Sequence, residues 1–98
     1  MNFKIISIIF SIILHFEINA ASIRLVWDLN PPIEDVTKYI IYQAKNSEPF
    51  VVIREVTGSI NEIAIENLTI ATYEYKIIAQ NRLGKSRPSA SVFVKIIL

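Results

Sequence analysis

Apolar and polar residues alternate with a period of two along most of the chain after residue 21. Such alternation predicts half-buried strands, because neighbouring side chains of a strand point to opposite faces. No segment combines a sustained helical period with capping residues. The predicted strands are SIRLVWD (22–28), KYIIYQA (38–44), FVVIREV (50–56), INEIAIENL (60–68), TYEYKIIAQ (72–80) and SVFVKII (91–97).

Turn signals separate these strands. They are NPP at 30–32, NSEP at 46–49, TGS at 57–59 and RLGKSRPS at 82–89. Short strands at even spacing predict an all-β antiparallel sandwich or barrel. The segment 60–68 alternates in two competing phases, so the pattern leaves open which of its residues face the core.

The first 21 residues break the alternation. They read MNFKIISIIFSIILHFEINAA, with one early lysine, a nearly unbroken apolar run at 5–16 and two closing alanines. This order is typical of a secretory signal peptide. The run has about a dozen residues, and a membrane-spanning helix needs about 20. The segment 1–20 is therefore predicted to be a leader, with an uncleaved signal anchor as the alternative.

Cleavage is predicted after Ala20 or Ala21, which leaves one domain at 21–98 in a secreted or periplasmic/extracellular location. The leader would take with it the only histidine, His15, and the chain has no cysteine. Without either residue type the mature chain lacks His-assisted nucleophiles and the usual zinc ligands. The net charge of +1 selects neither nucleic acid nor an anionic surface. No catalytic, cofactor or metal site is expected, so the chain is predicted not to be an enzyme.

The stretch AQNRLGKS, Ala79–Ser86, fits the loose form of a phosphate-binding loop. Such a loop opens a helix whose free N–H groups hold the phosphates. Here Pro88 and a strand-like alternation follow instead. The stretch is predicted to be a turn between two strands in which Gly84 supplies a positive φ, and no nucleotide is expected.

Three segments carry a family resemblance. The run Y-x-Y-x-I-x-A-x-N-x-x-G-x-S-x-P-S occupies Tyr73–Ser89, Trp27 lies within LVWD, and Tyr39–Tyr42 reads Y-x-I-Y. They resemble the sixth, second and third strands of the fibronectin type III family, and the match runs from about Ile23 to Val94. Leu68 and Tyr73 resemble the family's tyrosine corner.

The resemblance implies an immunoglobulin-like antiparallel β-sandwich that acts by binding to a protein or surface. A structural spacer, or an assembly subunit of an extracellular, virion or cell-surface complex, is the alternative. The family's cell-attachment tripeptide Arg-Gly-Asp is absent, so integrin recognition by that route is not implied. The predicted core residues are Trp27, Tyr39, Ile41, Tyr73, Tyr75, Ile77, Val92 and Val94.

The start of the domain departs from the family. Only Ala21 and Ser22 precede the Trp27 strand after cleavage, so the family's first strand is predicted to be short or missing. The strand Ser22–Asp28 would then be a sheet edge with free N–H and C=O groups. Such an edge is open to strand addition, including self-association.

Two surface clusters are candidate partner-binding sites. With the core residues inward, period two sends Ile40, Tyr42, Ile78 and Phe93 outward, where a contiguous apolar patch would mark a contact surface. A second, basic cluster would suit an acidic partner; its members are Arg82, Lys85 and Arg87.

The resemblance places the loop of the basic cluster at the same pole as Glu34 and Asp35. The interpretation we favour is that these opposite charges neutralise each other on a solvated surface. Asn67, in the tripeptide NLT, is a glycosylation acceptor if the host modifies exported proteins.

Overall fold

The computed structural model describes the backbone of residues 11–17 and 20–97 and the side chains of residues 21–97. The described residues form eight strands and one turn of 3-10 helix at Pro32–Glu34. The strands are β1 (Ser11–Glu17), β2 (Ala20–Val26), β3 (Lys38–Lys45), β4 (Val51–Thr57), β5 (Glu62–Leu68), β6 (Ala71–Asn81), β7 (Gly84–Lys85) and β8 (Val92–Ile96).

The strands form two antiparallel sheets. One has three strands in the order β1-β2-β5. The other has five, in the order β4-β3-β6-β7, and β8 pairs with the part of β6 that β7 leaves free. The alternation predicted from the sequence therefore produces the predicted β-sandwich.

Buried side chains from both sheets make one core. Trp27 and Tyr39 lie in its interior with their rings edge to face, 5.7 Å apart between centroids. Seven of the eight predicted core residues belong to this cluster, and Val92 is partly buried against it. The cluster consists of Ala21, Ile23, Leu25, Trp27, Tyr39, Ile41, Ile63, Ile65, Leu68, Ala71, Tyr73, Tyr75, Ile77, Ala79, Val94 and Ile96.

The structure resolves the phase of the fifth strand. Ile63 and Ile65 are buried, whereas Ala64 between them is exposed. Asn67 has a φ of 58°, and Leu68 after it is buried again. Strict alternation from Ile65 would turn Leu68 away from the core. The left-handed conformation of Asn67 shifts the alternation by one residue, so that the Leu68 side chain points into the core.

The tyrosine corner is present. The Tyr73 hydroxyl donates to the Thr69 carbonyl oxygen at 3.1 Å and accepts the Thr69 N–H at 3.2 Å. The hydroxyl thus closes the turn between β5 and β6 by bonding both backbone groups of one residue.

The stretch Ala79–Ser86 is the predicted hairpin turn. Gly84 has a φ of 140°, and Lys85 pairs with Gln80 across the turn. Ser86 extends the pairing, because its backbone N–H donates to the Ala79 carbonyl and its hydroxyl accepts the Ala79 N–H, at 2.8 and 2.9 Å.

Gly58 is required for a different reason. A Cβ built there would lie 2.0 Å from the Val36 carbonyl oxygen and 2.7 Å from its carbon. The Gly58 N–H donates to the Thr37 carbonyl oxygen at 2.9 Å, and this bond holds the backbone at Gly58 against the backbone at Val36 and Thr37. Only a residue without a side chain allows this approach.

The N-terminal segment differs from the expectation of a missing first strand. In the full chain Ser11–Glu17 pairs with β2 along its whole length, so the predicted edge strand Ser22–Asp28 has a neighbour on both sides. The expectation applied to a chain cleaved after Ala20, and that cleavage remains a prediction. Leader residues 1–10, 18 and 19 lie outside the described residues. No helix in the described segments is long and apolar enough to cross a bilayer.

Candidate functional site

The predicted apolar patch lies on the outer face of the five-stranded sheet. Ile40 pairs with Ile78 across β3 and β6, and Tyr42 pairs with Lys76. Tyr39, Ile41 and Ile77, which alternate with them, belong to the core. The register therefore directs Ile40, Tyr42 and Ile78 away from the core, as predicted.

The four patch residues are not equally available. Ile40 is only 3% exposed, although it does not belong to the core cluster. It lies on a central strand between Ile78 and Glu55, with both neighbours on the same face. Tyr42 and Ile78 are half-buried, and Phe93 is 64% exposed.

Phe93 is separated from the other three. It pairs with Glu74 on β6, and Lys76 comes next on that face before Ile78. The structure thus brings Ile40, Tyr42 and Ile78 together and places Phe93 beyond two charged side chains. The face alternates between apolar and charged positions, and it is not a continuous apolar patch.

Sequence reasoning missed the residue at the centre of this face. The Lys76 ammonium lies 4.0 Å from the centroid of the Phe50 ring and 5.8 Å from that of Tyr42. A cation over an aromatic ring at an exposed site contributes about 0.5–1 kcal/mol. Lys76 therefore lies over the Phe50 ring, with the Tyr42 ring further away. The alternation in TYEYKII already sends Lys76 outward, but Phe50 reaches it only through the pairing of β4 with β3.

Val52 extends the apolar surface on the β4 side. It pairs with Tyr42 and is 52% exposed. A register shift between Ile41 and Tyr42 sets this pairing, and sequence alternation gives no sign of it. We call the resulting face the outer-sheet surface; its members are Tyr42, Phe50, Val52, Lys76, Ile78 and Phe93.

Part of the basic cluster adjoins the outer-sheet surface. Lys85 pairs with Gln80, which in turn pairs with Lys38. Paired side chains of antiparallel strands lie on the same face, so both lysines lie at one end of the outer face. Lys38 donates to the Glu55 carboxylate at 2.8 Å.

Both lysines act on the Glu55 carboxylate. The hydrogen bond and the charge of Lys38 lower the pKa of Glu55, and the charge of Lys85 lowers it further. Arg82 and Arg87 are exposed in the same segment. The basic cluster and the outer-sheet surface therefore meet at Lys85.

The acidic residues of the facing loop, Glu34 and Asp35, do not contact the basic cluster directly. No ion pair within 4.0 Å links the basic cluster to Glu34 or Asp35 in the described part of the chain. The Asn30 amide instead donates to the Glu34 carboxylate at 3.1 and 3.4 Å. Direct ion pairing between the two groups is therefore absent from the described residues.

The two loops do lie at one pole, as the resemblance implied. The side-chain amide of Asn81, which is buried, donates to the Glu34 carbonyl oxygen at 2.8 Å. Asn81 also accepts the Leu83 N–H at 2.8 Å. It thus joins the loop at 82–89 to the loop at 30–36. Sequence reasoning used Asn81 only as part of the family motif.

The same pole holds an open depression of about 340 Å³. Asp35 is the one ionisable side chain in its lining, which otherwise mixes apolar and small polar residues. Within the described residues no group of three or more His, Cys, Asp or Glu side chains could hold a metal ion. The depression therefore offers no pair of titratable groups for acid–base chemistry.

Asn67 is exposed at the end of β5, while Leu68 beside it is buried. The Thr69 hydroxyl of the acceptor tripeptide lies 3.2 Å from the Tyr73 hydroxyl. The modification itself remains a prediction that depends on the host.

Comparison with known proteins places this fold. The family model of the Fibronectin type III domain matches residues 11–95. The match includes β1, so it covers part of the predicted leader as well as the predicted domain. No curated protein matches the chain.

Several solved structures share the fold at low identity. The chicken CNTN1 FN1-FN3 domains superpose with a TM-score of 0.66 at 24% identity, over 87% of this chain and 30% of that one. The FN3 domain of human collagen XX superposes with a TM-score of 0.65 at 21% identity, over 88% of this chain and 86% of that one. Titin kinase and its flanking domains superpose with a TM-score of 0.60 at 24% identity, over 71% of this chain and 13% of that one. The chain thus spans less than a third of the CNTN1 and titin chains.

Proposed function

Because the chain belongs to the fibronectin type III family, whose members are general binding or spacer modules, we propose that it is a secreted binding module. Members of this family are typically non-catalytic, and we propose no reaction for this one. The contact is made through the outer-sheet surface with a protein partner.

The observation that carries this proposal is the position of Lys76. A lysine that lies 4.0 Å from the centre of the Phe50 ring loses less side-chain freedom on binding than a lysine without such a contact. Phe93 and Val52 flank it with more than half of their surface exposed. Exposed aromatic residues are enriched at protein interfaces.

The charges on this face define the partner's chemistry. Lys76 lies in the centre, and Lys85 is exposed toward the end that Lys38 shares. Glu74 and Glu55 lie on the same face, so a complementary partner presents apolar side chains and places its carboxylates near Lys76 and Lys85. Such pairing steers association and weakens as salt increases.

Export is the second part of the proposal. The leader pattern at 1–20 supports a secreted or periplasmic/extracellular location, and we expect mature protein to begin at Ala21 or Ser22. N-terminal sequencing of protein collected outside the producing cells tests this part. Recovery of intact Met1 in the membrane fraction would contradict it.

The binding part is tested with a double substitution. Wild-type protein is immobilised, partners are recovered from the exported fraction of the producing cells, and the affinity of each purified partner is measured by calorimetry. Ile78→Thr with Phe93→Ser should weaken binding at least tenfold, because it removes apolar contact on both sides of Lys76. Lys76→Gln should reduce the salt dependence of the affinity.

Ile33→Ser is the matched control. Ile33 is the most exposed large apolar residue in the described segments, at 82%, and it lies at the loop pole away from the sheet face. The control should bind as wild type does. If the double variant folds and binds with unchanged affinity, the outer-sheet surface is not the contact. The spacer or assembly role is then the better description.

A further inference from the structure

The predicted cleavage site lies inside a paired strand. Ala20 and Ala21 are the first two residues of β2, and they pair with Glu17 and Phe16 of β1. Ala21 also pairs with Leu68 of β5 on its other side, and only 3% of its surface is exposed. In the folded full chain the peptide bonds after Ala20 and Ala21 therefore belong to a segment that is held by two neighbouring strands.

The backbone of β2 is already bonded on both sides. The Trp27 N–H donates to the Asn61 carbonyl oxygen at 3.0 Å, on the β5 side. Backbone groups of successive residues in a strand point in opposite directions. The N–H and C=O groups of Arg24 therefore face β1, where Ile13 lies opposite.

A peptidase needs these same backbone groups. It holds its substrate as an extended segment through main-chain hydrogen bonds, in the way that a peptide adds to a sheet edge. Folded proteins are cut mainly at exposed loop tips, and strands of the core open only at free energies near that of global unfolding. Cleavage of this chain therefore requires that β2 first separates from β1, with which it forms seven residue pairs.

We propose that residues 11–17 have two alternative fates and that the order of folding and cleavage decides between them. A chain that meets a signal peptidase before it folds loses the leader, and β1 with it. A chain that folds first keeps both, because the pairing of β1 with β2 withdraws the cleavage site. The uncleaved product has the complete three-stranded sheet, and the family match begins at the first residue of β1.

The reaction is the hydrolysis of one peptide bond, and the chain controls only the access to it. Water adds across the C–N bond, so that the carbonyl carbon of Ala20 or Ala21 becomes the carboxylate of the released leader. The nitrogen of the next residue becomes the new N-terminus. The peptidase belongs to the export machinery, so this inference rests on the export part of the proposed function.

The test compares the folded full chain with the peptide 1–28, which contains the same cleavage site and no strand after β2. Both are incubated with purified signal peptidase in detergent micelles, and the products are identified by mass spectrometry. The peptide should be cut after Ala20 or Ala21. The folded full chain should be cut about 100-fold more slowly, because few molecules have the β1–β2 pairing open at any moment.

Two substitutions at one residue outside the leader make a matched pair. Arg24→Pro removes an N–H that faces β1 and none that faces β5, so it should raise the cleavage rate of the folded chain about tenfold. Arg24→Thr keeps that N–H and loses the same contact with Glu62, which lies 3.6 Å away, so it should be cut as slowly as wild type. Peptides 1–28 with either substitution should be cut at equal rates. Trp27 fluorescence verifies that both full-length variants are folded.

The outcomes separate this inference from the proposed function. A folded wild-type chain that is cut as fast as the peptide overturns the inference and leaves export intact. Equal cleavage rates of folded Arg24→Pro and Arg24→Thr also overturn it, since β1 would then not protect the site. If Arg24→Pro does not fold, the comparison of wild type with the peptide decides alone. A peptide that is cut at neither alanine contradicts the predicted cleavage, and the inference with it.

Discussion

Tyr73 and Tyr75 make a matched pair for measuring what the tyrosine corner contributes. Their rings are both buried and stack 6.4 Å apart between centroids, 14° from parallel. Replacing either by Phe removes one hydroxyl and leaves the ring. The Tyr73 hydroxyl bonds the fixed backbone N–H and C=O of Thr69, whereas the Tyr75 hydroxyl donates to the Gln43 side chain at 2.8 Å.

The magnitudes follow from what each change leaves without a partner. Tyr73→Phe removes two backbone bonds at a turn that is partly open to water. We expect a loss of about 2 kcal/mol, from about 1 kcal/mol for each net bond. Tyr75→Phe removes the hydrogen-bond partner of the half-buried Gln43 side chain, which can rotate to another partner. We expect a loss of about 0.5–1 kcal/mol from this change.

Urea unfolding followed by the fluorescence of Trp27, the only tryptophan, measures both values. The m-value should stay constant across the three proteins, which shows that the exposed area on unfolding is unchanged. If Tyr75→Phe costs as much as Tyr73→Phe, or more, then the backbone bonds of the corner are not what stabilises it. The argument from fixed partners is then wrong.

Three further predictions concern stability. Gly58→Ala should lower the free energy of unfolding by about 2 kcal/mol or more in the same urea assay, because its Cβ meets a backbone carbonyl that cannot move aside. Ser59→Ala, at an exposed site in the same turn, should lower it by less than about 0.5 kcal/mol. Burial raises the pKa of Tyr75, so the native state keeps a proton that the unfolded chain loses at alkaline pH. Thermal melts should therefore show that stability falls as pH rises above about 10, and that it falls less steeply in Tyr75→Phe. An equal dependence of stability on pH in the two proteins would contradict this reasoning. The hydrogen bond and charge of Lys38 lower the pKa of Glu55 in the folded protein. The Lys38–Glu55 pair therefore stabilises the fold above the ordinary pKa of a glutamate, and this contribution is lost as pH falls through the lowered pKa. Glu55→Gln, and equally high salt, should make the melting temperature depend less on pH in the acid range.

Most strands could be predicted because their core positions alternate without interruption. In β6 the residues from Ala71 to Asn81 at odd positions are all buried. In β3 the core residues Tyr39 and Ile41 also alternate, although Ile40 between them is buried as well, and the tyrosine corner followed from a motif. Elements that depend on one strand alone were therefore accessible from the sequence.

Elements that depend on pairing were not. The register shift between Ile41 and Tyr42 brings Val52 opposite Tyr42, and no residue type marks it. The burial of Ile40 follows from its place on a central strand between two neighbours. The position of Phe50 beneath Lys76 depends on the same pairing. The composition of the outer-sheet surface therefore needed the structure.

The first strand shows a conflict between two physical patterns. An apolar run before small residues satisfies the requirements of a leader, and the same residues have enough β-branched and aromatic character to form a strand. Ser11–Glu17 pairs with β2, and the family match begins at residue 11. Composition could not decide between the two roles because both require the same apolar residues.

The central claim is that a partner binds the outer-sheet surface, and an NMR titration tests it most directly. Chain labelled with nitrogen-15 is titrated with the purified partner, and backbone amide shifts are followed residue by residue. We predict the largest shifts at Tyr42, Val52, Lys76, Ile78 and Phe93, with smaller ones toward Lys85. Shifts confined to the loop pole at 30–36 or to the three-stranded sheet, with none on the outer-sheet surface, would contradict the account.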